Sequence, residues 1–238
     1  MSEQEIVFFD LPSRPPCKTW TANLWKTRLF LNYKGLPYKT EWIEYPDIKP
    51  RFEGHLPKAD IYTCPTVILP DGKWVMDSTK IAEALEERYP EPSTHLDSPY
   101  LPKVSESLTG IMIAIRAVYI PGVFFNLLNE ASLGYFRRTR EEFLGVTIEE
   151  FAKGAAGAWE KAAPHAEKIT ALLKENSDGP FFEGKTVGYV DFIWAGYLLF
   201  MEAIGKDVLA EALKVTGDAE VHLKLLEAVR PWSERADH

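Results

Sequence analysis

The sequence predicts an α/β domain followed by an all-α domain, and three observations carry that reading. Short apolar runs flank one helix-period stretch near the start and are followed by two more short runs and a second helical stretch, the order β-α-β then β-β-α. A stretch holding Pro92, Pro99 and Pro102, with Pro90 just before it, reads as an extended linker. Beyond it, helical periodicity takes over almost completely. The expected division is residues 1–90, a linker at 91–102, and a helical domain at 103–238.

Ile6 to Leu11 is apolar apart from Asp10 and suits a buried central strand. A loop of prolines and small polar residues follows, from Pro12 to Trp20. From Ala22, the residues Leu24, Trp25, Leu29, Leu31 and Tyr33 are interleaved with Lys26, Arg28 and Asn32, which is a helix, and Gly35 stops it. Tyr38 to Tyr45 alternates as a strand does, and Pro46 to Tyr62 reads as a long loop. Two strands joined by a crossover helix pair in parallel.

In Tyr62-Thr63-Cys64-Pro65-Thr66-Val67 a proline stands directly before an apolar run, Val67 to Leu69. Proline has no N–H to give a sheet, so it belongs at a strand's first residue or edge. The turn Asp71-Gly72 leads to a second strand, Lys73 to Met76, paired antiparallel at the sheet's edge. Asp77-Ser78 then opens a helix that carries Ile81, Leu85 and Tyr89 on one face. In the second domain the candidate helices are Val104–Tyr119, a break at Pro121-Gly122, Thr139–Leu144, Thr147–Asn176, Tyr189–Ile204 and Ala219–Arg230.

Composition excludes several functions. A net charge of −8 argues against a nucleic-acid partner, because phosphate binding needs a basic footprint. Two cysteines, Cys17 and Cys64, fit neither a zinc pattern nor a disulfide framework. His95, His165, His222 and His238 show no metal-ligand spacing, so no metal is expected. Met1 to Glu5 is polar and acidic, and no apolar run is long enough for a signal sequence or a membrane span. The expected location is the cytoplasm.

The βαβ-ββα order, the proline opening the third strand and the acid-serine pair after the fourth together resemble the glutathione transferase family, over essentially the whole chain. Thr21-Ala22-Asn23-Leu24-Trp25-Lys26-Thr27-Arg28, with Lys34-Gly35-Leu36-Pro37 behind it, looks like the fungal class related to bacterial beta-etherases, where Ser-Pro-Asn-x-Trp-Lys-x-Arg opens the first helix. The resemblance implies a thioredoxin-like first domain, glutathione as cosubstrate, a hydrophobic small molecule as second substrate and a homodimer. It implies a cis Pro65, which lets Cys64 offer its backbone to the cysteinyl unit of glutathione. Ser78 would bind the γ-glutamyl carboxylate at a helix N-terminus, and Asp77 its ammonium. Thr21 stands where relatives carry the activating Ser or Cys. Its hydroxyl would favour the thiolate of a thiol whose free pKa is about 8.5, with the Asn23 amide as second donor.

Three departures from the family pattern stand out. Thr21 is β-branched, which limits the rotamers that aim its hydroxyl. Ala22 replaces a proline favoured at the first helical position. Gly188-Tyr189-Val190-Asp191 replaces a Ser/Thr-x-x-Asp capping box, so Asp191 alone can bond back to the helix start.

Trp20, Tyr119, Phe124 and Phe125 are the expected lining of the hydrophobic pocket. Lys49, Arg51, His55 and Lys58 are the candidates for the glycyl carboxylate of glutathione, without a choice among them. The first reading is conjugation of glutathione to an aromatic electrophile, or cleavage of an aryl ether. A ligandin-type binding protein is the alternative. A thiol–disulfide reductase using Cys17 is a lesser one.

Overall fold

The computed structural model describes residues 5–238; the N-terminal Met1 to Gln4, part of the stretch read as polar, lies outside the described residues. Strand β1 (Ile6–Asp10) runs parallel to β2 (Tyr38–Trp42) and antiparallel to β3 (Thr66–Ile68), and β3 pairs antiparallel with β4 (Trp74–Met76). The strand order is β2-β1-β3-β4, so the apolar run at Ile6 takes a central place. Helix α1 (Ala22–Tyr33) crosses from β1 to β2, and α3 (Ser78–Arg88) follows β4. This is the predicted thioredoxin-like arrangement, with an all-helical domain behind it.

Within the predicted long loop, α2 (Tyr45–Phe52) forms, and β2 stops at Trp42 rather than Tyr45. Pro46 lies in the helix's first turn, where a missing N–H costs nothing. Helix α4 (Tyr100–Ala114) begins inside the predicted linker, and the chain breaks at Ile115 rather than at Pro121-Gly122. Pro121 is contained in α5 (Arg116–Gly122), and the irregularity follows it as a π-turn at Val123–Leu127. Then come α6 (Glu130–Leu144), α7 (Ile148–Ala152), a 3₁₀ turn, and α8 (Ala158–Leu173) where one long helix was expected. Next are α9 (Tyr189–Ile204), α10 (Lys206–Lys214), which the sequence reading missed, and α11 (Ala219–Ser233).

Helix α9 is the spine that joins the domains. Fourteen of its sixteen residues are buried. Gly196 faces the start of α1 so closely that a Cβ there would lie 2.8 Å from the carbonyl oxygen of Ala22. About two turns earlier, Tyr189 Oη donates to the carbonyl of Ser78 at 3.0 Å. One helix therefore fixes the beginnings of both α1 and α3. Its own start depends on Asp191, whose Oδ2 accepts from Gly188 N–H at 2.7 Å and whose Oδ1 accepts from Phe182 N–H at 3.0 Å.

Two further buried polar side chains, Arg28 and His222, are also paired. Arg28, fully buried on α1, meets Asp10 of β1 at 2.8 Å and donates to Tyr38 Oη and Thr40 Oγ1, which locks α1 to the sheet. His222 on α11 accepts from Trp194 Nε1 at 2.9 Å through Nδ1, so its proton sits on Nε2, 2.8 Å from Thr170 Oγ1. Burial pushes the imidazole down to about 4. A folded pKa below the unfolded value means that this stability is present above about pH 6.5 and is lost as pH falls to about 4, roughly 3 kcal/mol in all. His222→Gln keeps one acceptor and one donor but cannot protonate. Chemical denaturation between pH 6.5 and 4.5 is expected to give the variant a shallower loss than the wild type.

Candidate active site

The two helix starts held by α9 border a cleft of about 540 Å³. Thr21, Asn23, Cys64, Pro65, Asp77 and Ser78 all line it, so six of the sequence-derived site residues converge in one place.

Each presents distinct chemistry. Thr21 is the N-cap of α1, and its Oγ1 accepts from Leu24 N–H at 3.1 Å. That bond uses an oxygen lone pair and leaves the hydroxyl proton free to donate. Asn23 is exposed, and its Oδ1 accepts from Lys26 Nζ at 2.8 Å, which leaves the amide N–H groups as donors. The Cys64–Pro65 peptide is cis. Cys64 precedes β3, and its backbone N–H and C=O make no hydrogen bond with any described residue, as an open edge for a short extended peptide requires. Its sulfur is a different matter: burial pushes the thiol well above its ordinary value, so Cys64 contributes backbone rather than a nucleophile.

Asp77 is the N-cap of α3 with φ 91°, a left-handed conformation rare for a non-glycine residue. Strain of this kind persists where the surroundings fix it and clusters at ligand sites. Asp77 Oδ1 accepts from both Thr79 N–H and Lys80 N–H, which leaves Oδ2 for an ammonium. Ser78 is buried at the N-terminus of α3, where the helix dipole and its own N–H, unpaired among the described residues, favour a carboxylate.

Of the four loop cations, only Lys49 lines the cleft, presented there by α2. Arg51 pairs with Glu41 at 3.0 Å and lies over Phe9 and Trp74. His55 stacks on Trp74 at 4.5 Å. The sequence reading missed Lys26, Tyr45, Tyr62, Tyr135 and Arg140, which also line the cleft. Tyr135 and Arg140 come from α6, which packs over α2; Glu44 seals that junction by accepting from Asn129 Nδ2 at 2.9 Å. No sequence pattern marks this meeting, because it depends on how the second domain folds back.

The four expected pocket aromatics do not share one cavity. Tyr119 lines an annex of about 350 Å³ with the apolar Leu108, Met112, Ile113 and Ile193 and the polar Ser105, Thr109 and Arg116. Asn23 and Lys26 line both spaces, so the annex adjoins the main cleft at the thiol end. Trp20 lines a separate cleft. Phe124 is buried against Phe125 and Phe136 beneath Arg137, Phe125 is half exposed, and neither lines these cavities. The π-turn after Pro121 rotates both rings away from the annex. Cys17 is exposed and lines none of the three. Partial burial and the charges of Asp10 and Glu44 push its thiol up, the opposite of what a reactive thiol needs.

Comparison with known proteins decides the family. The glutathione S-transferase C-terminal domain matches residues 107–232, and the N-terminal domain matches residues 22–88. The chain belongs to the glutathione S-transferase family. A glutathione S-transferase of Ceriporiopsis subvermispora, solved in complex with glutathione, is 31% identical, with TM-score 0.82 over 99% of this chain and 100% of that one. A glutathione transferase from Phanerochaete chrysosporium is 27% identical, with TM-score 0.84 over 97% of this chain and 98% of that one. A glutathione S-transferase-like protein of Aspergillus flavus is 28% identical across 98% of this chain and 92% of its own length. The two-domain transferase fold predicted from the sequence is thus shared with fungal transferases.

Proposed function

We propose that this transferase binds glutathione in the cleft beside Thr21, holds it as the thiolate, and adds it to an apolar, aromatic electrophile seated in the annex. The observation that carries the reading is the convergence of Thr21, the free Cys64 peptide and the α3 start on one cleft. The complex of the Ceriporiopsis subvermispora relative with glutathione supports the ligand.

The chemistry follows from the geometry. Thr21 O–H donates to the sulfur and stabilises its negative charge, as does the N-terminus of α1. Cys64 holds the cysteinyl unit by its backbone, and Ser78 and Asp77 hold the γ-glutamyl end. Lys49 is the cation for the glycyl carboxylate. Holding thiolate and electrophile together converts an encounter between two molecules into an internal step. Sulfur attacks the electrophilic carbon, a C–S bond forms, and the leaving group on that carbon departs with the electron pair of the bond that breaks. Where an aryl ether is the substrate, the C–O bond breaks and its electron pair leaves with the aryloxide. We place the enzyme in the cytoplasm as a homodimer, the oligomer that the family resemblance implies.

The first test is an ultraviolet difference titration of the glutathione thiolate with and without protein. A bound pKa well below the free value of about 8.5 supports the reading. A bound thiol with an unshifted pKa favours ligand storage over turnover. In steady-state kinetics Lys49→Ala is expected to raise the KM for glutathione roughly tenfold, the worth of one charge-assisted bond, and to leave kcat nearly unchanged.

A further inference from the structure

The annex carries charge that glutathione does not use. Its lining holds two cations, Lys26 of α1 and Arg116 at the start of α5, and no carboxylate among the described residues. On a chain with 35 acidic and 27 basic residues, this is a local reversal of sign. Neither cation forms an ion pair with a described residue. Lys26 Nζ donates to the neutral Asn23 Oδ1 at 2.8 Å, which leaves two of its three donors. Burial pushes this ammonium down, and the carboxylate that acts against the push is Asp77, whose proposed partner is the ammonium of glutathione. Arg116 lies beside the Tyr119 hydroxyl. Burial pushes that phenol up against the pull of Arg116 and Arg140, so it stays neutral and leaves the guanidinium charge uncompensated.

The two cations hold different places. Lys26 lines both spaces and so stands at the junction with the glutathione cleft, whereas Arg116 belongs to the annex alone. Leu108, Met112, Ile113 and Ile193 give the annex an apolar wall against which a ring can lie. A negatively charged electrophile would be repelled by the thiolate it must approach, and a cation at the junction offsets that repulsion. The planar guanidinium fork matches a carboxylate, which it can hold by two N–H bonds.

We propose that the electrophile of this transferase is an aromatic carboxylic acid, bound as its anion: Arg116 holds the carboxylate, the ring lies on the apolar wall, and Lys26 offsets the repulsion between that anion and the glutathione thiolate. This rests on the reading of the cleft as the glutathione site and of the annex as the electrophile's seat. It makes Arg116 the residue that selects among electrophiles of one shape.

The probes are 4-chloro-3-nitrobenzoate and its neutral methyl ester. In both, the sulfur of glutathione bonds to the ring carbon and chloride leaves with the electron pair of the C–Cl bond. The ester's ring is the more activated, so the readout is the ratio of kcat/KM for benzoate over ester, each variant against the wild type. Arg116→Gln is expected to lower that ratio about tenfold, through a raised KM for the benzoate, the size of one hydrogen bond to a charged group. Arg116→Lys keeps the charge and is expected to recover most of the ratio, and Lys26→Gln is expected to lower it. Arg116 is exposed, so Arg116→Gln should keep the wild-type melting temperature. An unchanged ratio in Arg116→Gln overturns the proposal. Turnover of neither probe would count against the transferase reading instead. Equilibrium dialysis of the benzoate, with S-methylglutathione filling the main cleft, would then decide the selectivity: binding about tenfold weaker in Arg116→Gln upholds it, and equal binding overturns it.

Discussion

Thr21→Ala leaves the protein folded and able to hold glutathione, but returns the bound thiol to a pKa near its free value of about 8.5 and lowers kcat by about 10²–10³. The size of this effect reflects what the hydroxyl does. Thr21 Oγ1 is already committed as acceptor to Leu24 N–H, so its only remaining hydrogen-bond role is donation. A donor aimed at a developing anion is worth about 3–4 kcal/mol in a site sheltered from water. Binding is a separate matter, because the contacts proposed for Cys64, Ser78 and Asp77 lie away from sulfur. The variant should therefore change kcat and the thiol pKa much more than the KM for glutathione.

Two controls sharpen this. Loss of the cap costs the fold about 1 kcal/mol, about 2–4 °C of melting temperature for a chain of this size. That cannot mimic a hundredfold kinetic effect. Thr21→Ser restores both the cap and the donor without the β-branch, so it is expected to recover the depressed pKa. If Thr21→Ala kept the low pKa, the donor would have to be the Asn23 amide, and Asn23→Ala would then carry the loss. The capping bond also answers the concern about the β-branch: by tying Oγ1 to Leu24 it selects one rotamer and pre-aims the hydroxyl.

What the sequence disclosed depended on how local its causes were. Helix α9 was read with its correct ends because it is apolar from Tyr189 to Ile204 apart from Asp191, Gly196 and Glu202, and Gly205 ends it. The cleft's first layer was legible because each residue sits at an element's start: Thr21 before α1, Cys64-Pro65 before β3, Asp77-Ser78 at α3. Starts carry signals in one's and two's, such as a hydroxyl, a proline or an acid. Helix α2 was hidden because two prolines, Pro46 and Pro50, stand within eight residues. Pro121 misled in the opposite sense: it suggested a break, but the chain takes it into α5 and distorts only afterwards. Tyr135 and Arg140 were invisible because nothing in α6 says that it will fold over α2. Their place is a tertiary fact, as is the separation of Trp20 from Tyr119.

Asp191 shows how a residue remote from the chemistry governs the site. Asp191→Ala removes the only acceptor among the described residues for the N–H groups of Gly188 and Phe182, both buried in the second domain. Each orphaned buried donor costs about 1–3 kcal/mol, so the melting temperature is expected to fall by roughly 10 °C. Glycine at the N-cap has no side chain to compensate, which makes Asp191 more important here than in a full capping box. The pH dependence adds a signature. Burial pushes this carboxyl up to about 7 against the pull of its two N–H partners. A folded pKa above the unfolded value means that the stabilisation is full below about pH 4 and is lost as pH rises through about 7. The gap between wild type and variant should therefore be wider at pH 5 than at pH 8. Function should follow the fold. Helix α9 sets the start of α1 through Gly196 and of α3 through Tyr189, so loosening its first turn moves the Ser78 anchor first. Below its melting temperature the variant is expected to lose affinity for glutathione before it loses the thiol's depressed pKa, since Tyr189 lies two residues from Asp191 and Gly196 five. Equal affinity in variant and wild type would mean that α3 holds its start without α9.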